Sequence, residues 1–181
     1  PKIYFYSHHY VHAFQSFKHS MFKEALCITI DGSGEENCTV VWECRKNRIK
    51  KLYEVNMPHS LGWFYAAFTE YLGFKAYDGE YKLMGLAPFG EPIYYDIIKN
   101  TLIDVKSDGS FHLNMEYFGY MDKMSMTNDK FHDLFGGLPR EPESIITTKE
   151  MNIAASIQRV IEERIIDLAR YAKKETGANN L

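Results

Sequence analysis

The sequence predicts an α/β protein in which a central mixed sheet is flanked by helices. A short, nearly all-apolar run at residues 25–31 is typical of a central strand buried on both faces. Two shorter β-type runs follow it at residues 38–43 and 50–55, and helical periodicity recurs through the rest of the chain. With 181 residues, the chain is long enough for one sizeable domain with its own hydrophobic core.

The composition is that of an ordinary globular protein, with 45% hydrophobic residues, 25% charged residues and a formal net charge of -3. Because charges of both signs are interspersed, nothing indicates a nucleic-acid or anionic-membrane partner. No apolar run approaches the roughly 18 residues that a membrane-spanning helix needs. The three cysteines cannot all pair and show no zinc-type spacing, so we expect reduced thiols and a cytoplasmic protein.

Caps and periodicity place the elements in order. Ser7 is a candidate N-cap for a helix reaching about residue 20, whose predicted apolar stripe is Val11, Phe14 and Phe17. After the strand at residues 25–31, the glycine-rich segment 32–34 turns the chain, and the polar turn at 45–48 joins two antiparallel strands. The remaining predictions are a Ser60-capped helix ended by Gly73, a short helix and loop at 79–90, a helix at 94–102, a short strand at 111–113, an irregular stretch at 115–142, a helix from the Thr147–Glu150 capping box to Gly177, and the start of a strand at 179–181.

A pair of histidines could carry chemistry on the first helix. Histidines at positions i and i+4 lie on one helical face, so His8 and His12 could share a divalent metal ion. The rival pair is His9 and His12 at i+3, and ordinary surface or core histidines are the alternative to both. A two-histidine site needs a carboxylate from elsewhere, and Asp31, at the end of the next strand, is the candidate.

Two further patterns could contact phosphate. Glycines in the Asp-Gly-Ser-Gly segment at residues 31–34 let backbone N–H groups approach a phosphate, although Asp-Gly also favours an ordinary hairpin turn. Lys82 could neutralise phosphate charge. From the local sequence, however, its position two residues after Glu80 favours an ion pair between the two side chains on an exposed turn.

In order along the chain, six segments resemble the O-carbamoyltransferases of nodulation-factor and antibiotic biosynthesis. They are His-His-x-x-His-Ala at residues 8–13, Ile-Asp-Gly-Ser-Gly-Glu at 30–35, Pro-His-Ser-Leu-Gly-x-Phe-Tyr at 58–65, Leu-Gly-Phe-Lys at 72–75, Glu-Tyr-Lys-x-Met-Gly-Leu-Ala-Pro-x-Gly at 80–90 and Ala-Ala-Ser-x-Gln at 154–158. The similarity covers essentially the whole chain. The string at 80–90 is highly specific in combination with the first two segments.

The resemblance implies a fold and a reaction. Members of the family join an actin-like, hexokinase-type ATPase domain with an RNase-H-like core to a smaller C-terminal domain. The smaller domain makes carbamoyl-adenylate from carbamoyl phosphate and ATP, and the larger one passes the carbamoyl group to an acceptor hydroxyl. Residues 1–181 would be a single fragment of the actin-like domain, inactive alone. The first phosphate loop would lie upstream of Pro1, and the carbamoyl-activating domain would follow Leu181.

The resemblance also implies site residues. His8 and His12 would be ligands of an iron-type divalent metal ion, with Mg²⁺ possible alongside ATP, and Asp31 and Lys82 would be catalytic. The residues expected to bind ATP or carbamoyl-adenylate are Asp31, Gly32, Ser33, Gly34, Ser60, Gly62, Gly79 and Glu80. The expected partners are small molecules, namely carbamoyl phosphate, ATP and a hydroxylated acceptor.

Two alternative functions stay open at this point. A tRNA-threonylcarbamoyl transferase would share the histidine helix, but should lack the string at residues 80–90 and would need a basic face for tRNA. A non-catalytic sugar- or nucleotide-binding protein built on the same ATPase fold is the other alternative.

Overall fold

The computed structural model describes residues 2–46 and 48–181, so Asn47, within the predicted turn at 45–48, lies outside the described residues. The α/β class is confirmed. The expected mixed sheet is not present in the described part of the chain, where a three-stranded and a two-stranded sheet are both antiparallel. Short connections between consecutive strands explain this, because they join neighbours as hairpins rather than as parallel crossover units.

The elements follow one another in a mostly helical order after the first sheet. They are α1 His8–His19, β1 Glu24–Gly34, β2 Asn37–Arg45, β3 Arg48–Asn56, α2 Leu61–Tyr71, α3 Glu80–Leu86, a 3-10 turn Ala87–Phe89, α4 Tyr95–Ile97, a π-helical turn Ile98–Leu102, β4 Ile103–Val105, β5 Phe111–Leu113, a 3-10 turn Met115–Tyr117, α5 Asp129–Leu134 and α6 Thr148–Thr176. No helix in the described ranges is both long and apolar enough to cross a membrane.

Strand β1 was predicted to be central, but it lies at the edge of the three-stranded sheet, whose order is β1-β2-β3. Ile28 and Ile30 are accordingly only half-buried. The C-terminal residues meet this outer edge, where the backbone N–H of Leu26 donates to the carbonyl of Asn180 at 2.9 Å. The strand predicted at residues 179–181 is not formed.

Helix α1 buries Phe17 as predicted, but the other two residues of the predicted stripe do not face the sheet. Val11 and Phe14 are each 45% exposed. The predicted stripe has a spacing of three residues, whereas the residues that face the sheet are spaced by four. Ser7 precedes the helix but makes no capping hydrogen bond through its side chain. The residues that the helix buries are His9, Ala13 and Phe17.

The main core lies between α2 and α6. Both helices start with the predicted caps: the Ser60 hydroxyl accepts from the backbone N–H of Trp63, and Thr147 and Glu150 form a capping box. The stretch at 115–142, predicted to be irregular, contributes α5 to this core. There the fully buried ring of Phe131 packs edge-on against Phe68 with ring centroids 5.0 Å apart.

Candidate metal centre

The side chains of His8, His12 and Asp31 converge beside the end of β1. Nε2 of His8 lies 2.8 Å from Oδ2 of Asp31, and Nε2 of His12 lies 3.0 Å from Nε2 of His8 and 3.8 Å from the same carboxylate oxygen. Ligand bonds of about 2.0–2.2 Å around a divalent ion place neighbouring donor atoms about 3 Å apart. The three donor atoms are therefore spaced as ligands of one ion would be.

A bulge in the β1–β2 pairing sets the position of Asp31. Ile30 pairs with Thr39 and Gly34 pairs with Asn37, so β1 advances four residues while β2 advances two. Bulges bend a strand and redirect its side chains, and Asp31 is the first residue of this one. The turn itself falls at residues 35–36, and not at 32–34 as predicted, because β1 continues to Gly34.

His9 has a different environment from its two neighbours in the motif. Its side chain is buried, with Nδ1 2.8 Å from the Thr29 hydroxyl and Nε2 3.0 Å from the Asn37 carbonyl. Burial lowers the pKa of His9. Both ring nitrogens are engaged, so the geometry does not support the rival metal pair of His9 and His12.

The electrostatics of the site favour an anionic carboxylate. Partial burial acts to raise the pKa of Asp31, but hydrogen bonds from His8 and from the Gly32 backbone N–H outweigh it and lower the pKa below its ordinary value. Two imidazoles and one carboxylate are a donor set that suits Zn²⁺ or Fe²⁺ and leaves further coordination positions open. The residues present therefore fit a bound divalent ion.

The N-terminus of α2 packs against the Asp31-Gly32 segment. The Ser60 hydroxyl lies 2.6 Å from the Gly32 carbonyl and 3.2 Å from that of Asp31, and it can donate to either. A Cβ atom at Gly62 would lie 2.8 Å from the Asp31 carbonyl oxygen, so only glycine allows this approach. Ser33, the next residue of the bulge, is exposed.

The Gly79–Lys82 segment is linked to the bulge through aromatic rings. A Cβ atom at Gly32 would lie 3.0 Å from the indole of Trp63, and that indole packs edge-on against the Tyr77 ring at a centroid distance of 6.0 Å. The backbone N–H of Tyr77 in turn donates to Oε1 of Glu80 at 2.7 Å.

The ion pair considered for Lys82 and Glu80 is not formed. Glu80 is engaged by the backbone N–H of Tyr77, and Lys82 is exposed, with no ion-pair partner in the ranges that the structure describes. Gly79 precedes α3 and packs on its own loop, where a Cβ atom would lie 2.9 Å from the Lys75 carbonyl.

The contacts that support the three candidate ligands were not predicted from the sequence. Thr29 and Asn37 hold His9, and Trp63 covers Gly32, yet none of these was a candidate site residue. The sequence did contain one signal for this support, namely that His8 and His9 are adjacent. Neighbouring residues on a helix point about 100° apart, so both cannot face the same site together with His12. One of the two must therefore face away from any shared site.

Comparisons with known proteins identify the family. The family model described as the carbamoyltransferase N-terminus matches residues 1–181. The uncharacterized protein sll1178 of Synechocystis sp. is 49% identical over 181 residues, which are 100% of this chain and 29% of that protein. Nodulation protein NolNO of Sinorhizobium fredii is 28% identical over 180 residues, or 99% of this chain and 25% of that protein.

Nodulation protein NolO of Bradyrhizobium diazoefficiens is 29% identical over 175 residues, which are 97% of this chain and 30% of that protein. The chain thus spans less than a third of the length of each of these three relatives. The match to the family model is continuous over all the residues that carry the candidate centre. The chain belongs to the carbamoyltransferase N-terminus family.

Proposed function

We propose that this chain forms the metal-binding part of an enzyme that transfers a carbamoyl group from carbamoyl-adenylate to the hydroxyl group of a small-molecule acceptor. The convergence of His8, His12 and Asp31 in a chain of this family is the observation that carries the proposal. Three protein ligands leave coordination positions for substrate oxygens, as in catalytic metal sites.

In this proposal His8 and His12 hold an iron-type divalent ion through Nε2, and Asp31 holds it through its carboxylate. When bound, the ion supplies Lewis-acid polarisation of a carbonyl or phosphoryl oxygen. The lowered pKa of Asp31 favours the ionised carboxylate, which is the form that binds a cation.

The adenylate is proposed to lie along the bulge and the start of α3. Trp63 covers Gly32, and imidazole rings fill the space beside Gly34. Ser33 lies exposed between these glycines, so the phosphate is proposed to approach the bulge at Ser33.

Lys82 is exposed and unpaired in the described ranges, so its ammonium group can neutralise phosphate charge. Of the other residues expected to bind the adenylate, Gly62 and Glu80 are partly exposed. Ser60 and Gly79 are buried, so we propose that they shape this surface from beneath.

The transfer step is a substitution at the carbamoyl carbon. The acceptor oxygen forms a bond to that carbon, and the bond from the carbon to the phosphate oxygen of the adenylate breaks. The electron pair leaves with AMP, and the acceptor proton passes to a base. The products are a carbamate ester and AMP.

We further propose that the hairpin of β1 and β2, followed by β3 and α2, belongs to an actin-like ATPase core. The first phosphate loop and the carbamoyl-activating chemistry are assigned to polypeptide outside residues 1–181. The 181 residues alone are therefore expected to bind metal without turning over substrate.

Metal analysis of histidine variants tests the site. We expect the purified protein to contain or take up one divalent ion per chain, and His8→Ala and His12→Ala to lose it. His19→Ala is the matched control, since His19 is an exposed histidine on the same helix whose Nδ1 faces the Gln15 carbonyl. Unchanged metal content in the His8 and His12 variants would refute the ligand assignment.

An activity measurement on the full-length enzyme tests the reaction. Release of AMP from carbamoyl phosphate and ATP should be coupled to carbamoylation of a hydroxylated acceptor. A full-length protein that retains its metal ion but carbamoylates no acceptor would contradict the proposed transfer while leaving the metal site intact.

A further inference from the structure

We infer that His9 is a positioning residue for the metal centre, which holds the neighbouring ligands His8 and His12 toward Asp31 by anchoring α1 to the sheet. This inference rests on the proposed metal-binding function. The His9 side chain is only 1% exposed, whereas His8 and His12 are exposed. The motif thus contains two histidines that face the site and one that faces the sheet.

The hydrogen bonds of His9 assign its tautomer. Nε2 lies 3.0 Å from the Asn37 carbonyl, which can only accept, so Nε2 carries a proton. The ring is buried and both of its partners are uncharged, which favours the neutral imidazole. Nδ1 is then an acceptor, and the Thr29 hydroxyl, 2.8 Å away, donates to it.

The Thr29 hydroxyl also accepts a hydrogen bond, because the indole N–H of Trp42 donates to its Oγ1 at 3.1 Å. Its single proton has two acceptors in reach, Nδ1 of His9 at 2.8 Å and the Val40 carbonyl at 3.3 Å. The shorter contact assigns this proton to His9. Trp42, Thr29 and His9 therefore form a directional chain of hydrogen bonds from β2 through β1 to α1. Each buried polar group in the chain has a partner, and removing one leaves another unsatisfied.

The anchor, meaning the hydrogen bonds of His9 to Thr29 and Asn37, lies close to the metal ligands and therefore controls their orientation. His9 directly follows His8 in the first turn of α1, and its ring bonds to β1 through Thr29, two residues before Asp31. A rotation of α1 about its axis would break both bonds of His9 and would carry His8 away from the carboxylate. The anchor therefore sets the rotation of the helix that the metal ligands require.

Paired variants test this with Co²⁺ as the probe. His9→Phe keeps a ring of similar size and removes both hydrogen bonds, and Thr29→Val removes only the hydroxyl. We expect each to weaken Co²⁺ binding about 10- to 100-fold, as loss of partners outside the coordination sphere commonly does, and to alter the visible absorption of bound Co²⁺. The control is Phe17→Leu, which loosens the packing of the same helix without removing any hydrogen bond of His9 or Thr29, and it should leave affinity and spectrum unchanged.

The outcomes separate the inference from the proposed function. If the wild-type protein and all variants bind no Co²⁺, the metal site fails and the inference fails with it. If the wild type binds and the His9 and Thr29 variants bind with unchanged affinity and spectrum, the metal site stands and the positioning role is refuted. Equal losses in the Phe17 variant would also refute it, because general loosening of α1 would then suffice.

A measurement without metal guards against variants that fail to fold. Nitrogen-15 spectra of histidine-labelled wild-type protein at neutral pH should show the His9 ring, assigned by comparison with His9→Phe, as neutral and protonated on Nε2. Thr29→Val should shift the Nδ1 signal of this ring. A His9 ring protonated on Nδ1 alone would overturn the hydrogen-bond chain and the inference.

Discussion

Gly34 lies so close to helix α1 that a Cβ atom at this position would stand 2.6 Å from Cδ2 of His8 and 2.9 Å from Cδ2 of His9. The backbone of Gly34 is not among the positive-φ residues, so space, and not conformation, requires glycine here. Because two imidazole rings occupy the space where a side chain would begin, the end of β1 and the start of α1 are fitted to each other at this point.

The first prediction concerns this contact. Gly34→Ala should push the His8 ring away from Asp31 and weaken divalent-metal binding by about tenfold or more, since ligand orientation controls affinity. Calorimetric titration with Co²⁺ measures the effect. Gly85→Ala is the matched control, because a Cβ atom there meets nothing within 4 Å, and alanine should stabilise α3 by about 0.5–1 kcal/mol. Equal affinity of the two variants would contradict the prediction.

The second prediction concerns the capping box of α6. Thr147→Ala removes the hydroxyl that accepts from the Lys149 backbone N–H, and should lower the free energy of unfolding by about 0.5–2 kcal/mol. Thr148→Ala, a change of the same size at the exposed next residue, should have a much smaller effect. Urea unfolding of both variants measures the difference, and equal losses would show that the box contributes nothing of its own.

The third prediction concerns pH. Burial and then the neighbouring His112 lower the pKa of His59 below 6.5, and its Nδ1 accepts from the Leu113 backbone N–H at 3.1 Å. A lowered pKa in the folded state means that the unfolded chain binds the proton more readily. Stability is therefore fully present above pH 6.5 and falls as the pH drops below it.

Replacement by an amide isolates this contribution. His59→Asn offers an oxygen acceptor to the Leu113 N–H but does not titrate. Between about pH 7.5 and about pH 5.5, the wild type should lose more free energy of unfolding than the variant. Parallel urea curves at the two pH values measure this, and a wild type that gains stability on acidification relative to the variant would reverse the sign.

The fourth prediction concerns Lys82. In the full-length enzyme, Lys82→Ala should lower kcat/KM for carbamoyl transfer about 10- to 100-fold, because a hydrogen bond to a charged group contributes about 1.5–3 kcal/mol. Metal content should not change. Lys174→Ala, which removes a lysine from the last turn of α6, is the control. Equal activity of the two variants would exclude Lys82 from the site.

Local signals predicted those parts of the fold that depend on local physics. The caps at Ser60 and Thr147 and the αL glycine at Gly177 were confirmed because a cap depends on the few residues around it. In the apolar stripe of α1, Phe17 was predicted correctly. Val11 and Phe14 were wrong, because the polar residue His9 and the small residue Ala13 face the sheet in their place. The edge position of β1 was also missed, since strand order depends on contacts distant in sequence.

The candidate site was predictable to a similar degree. The spacing of His8 and His12 and the strand-ending Asp31 pointed to three side chains that the structure brings together. The support of these side chains was not predictable, because it depends on which residue of β1 lies opposite α1 and beside Trp42. That relationship follows from the register in which Cys27 pairs with Trp42, and no local pattern sets it.

Helix α1 directs His8 and His12 toward Asp31 and His9 toward the sheet. This arrangement determines whether the centre could be moved to another protein. A designer who copied only His-x-x-x-His and a facing aspartate would transfer the ligands without the anchor that fixes their helix. The smallest transferable unit is three elements: the first turn of α1, the bulged end of β1 with Thr29, and the stretch of β2 from Asn37 to Trp42. The centre is thus a property of a sheet and a helix together, and grafting it requires a host that supplies both.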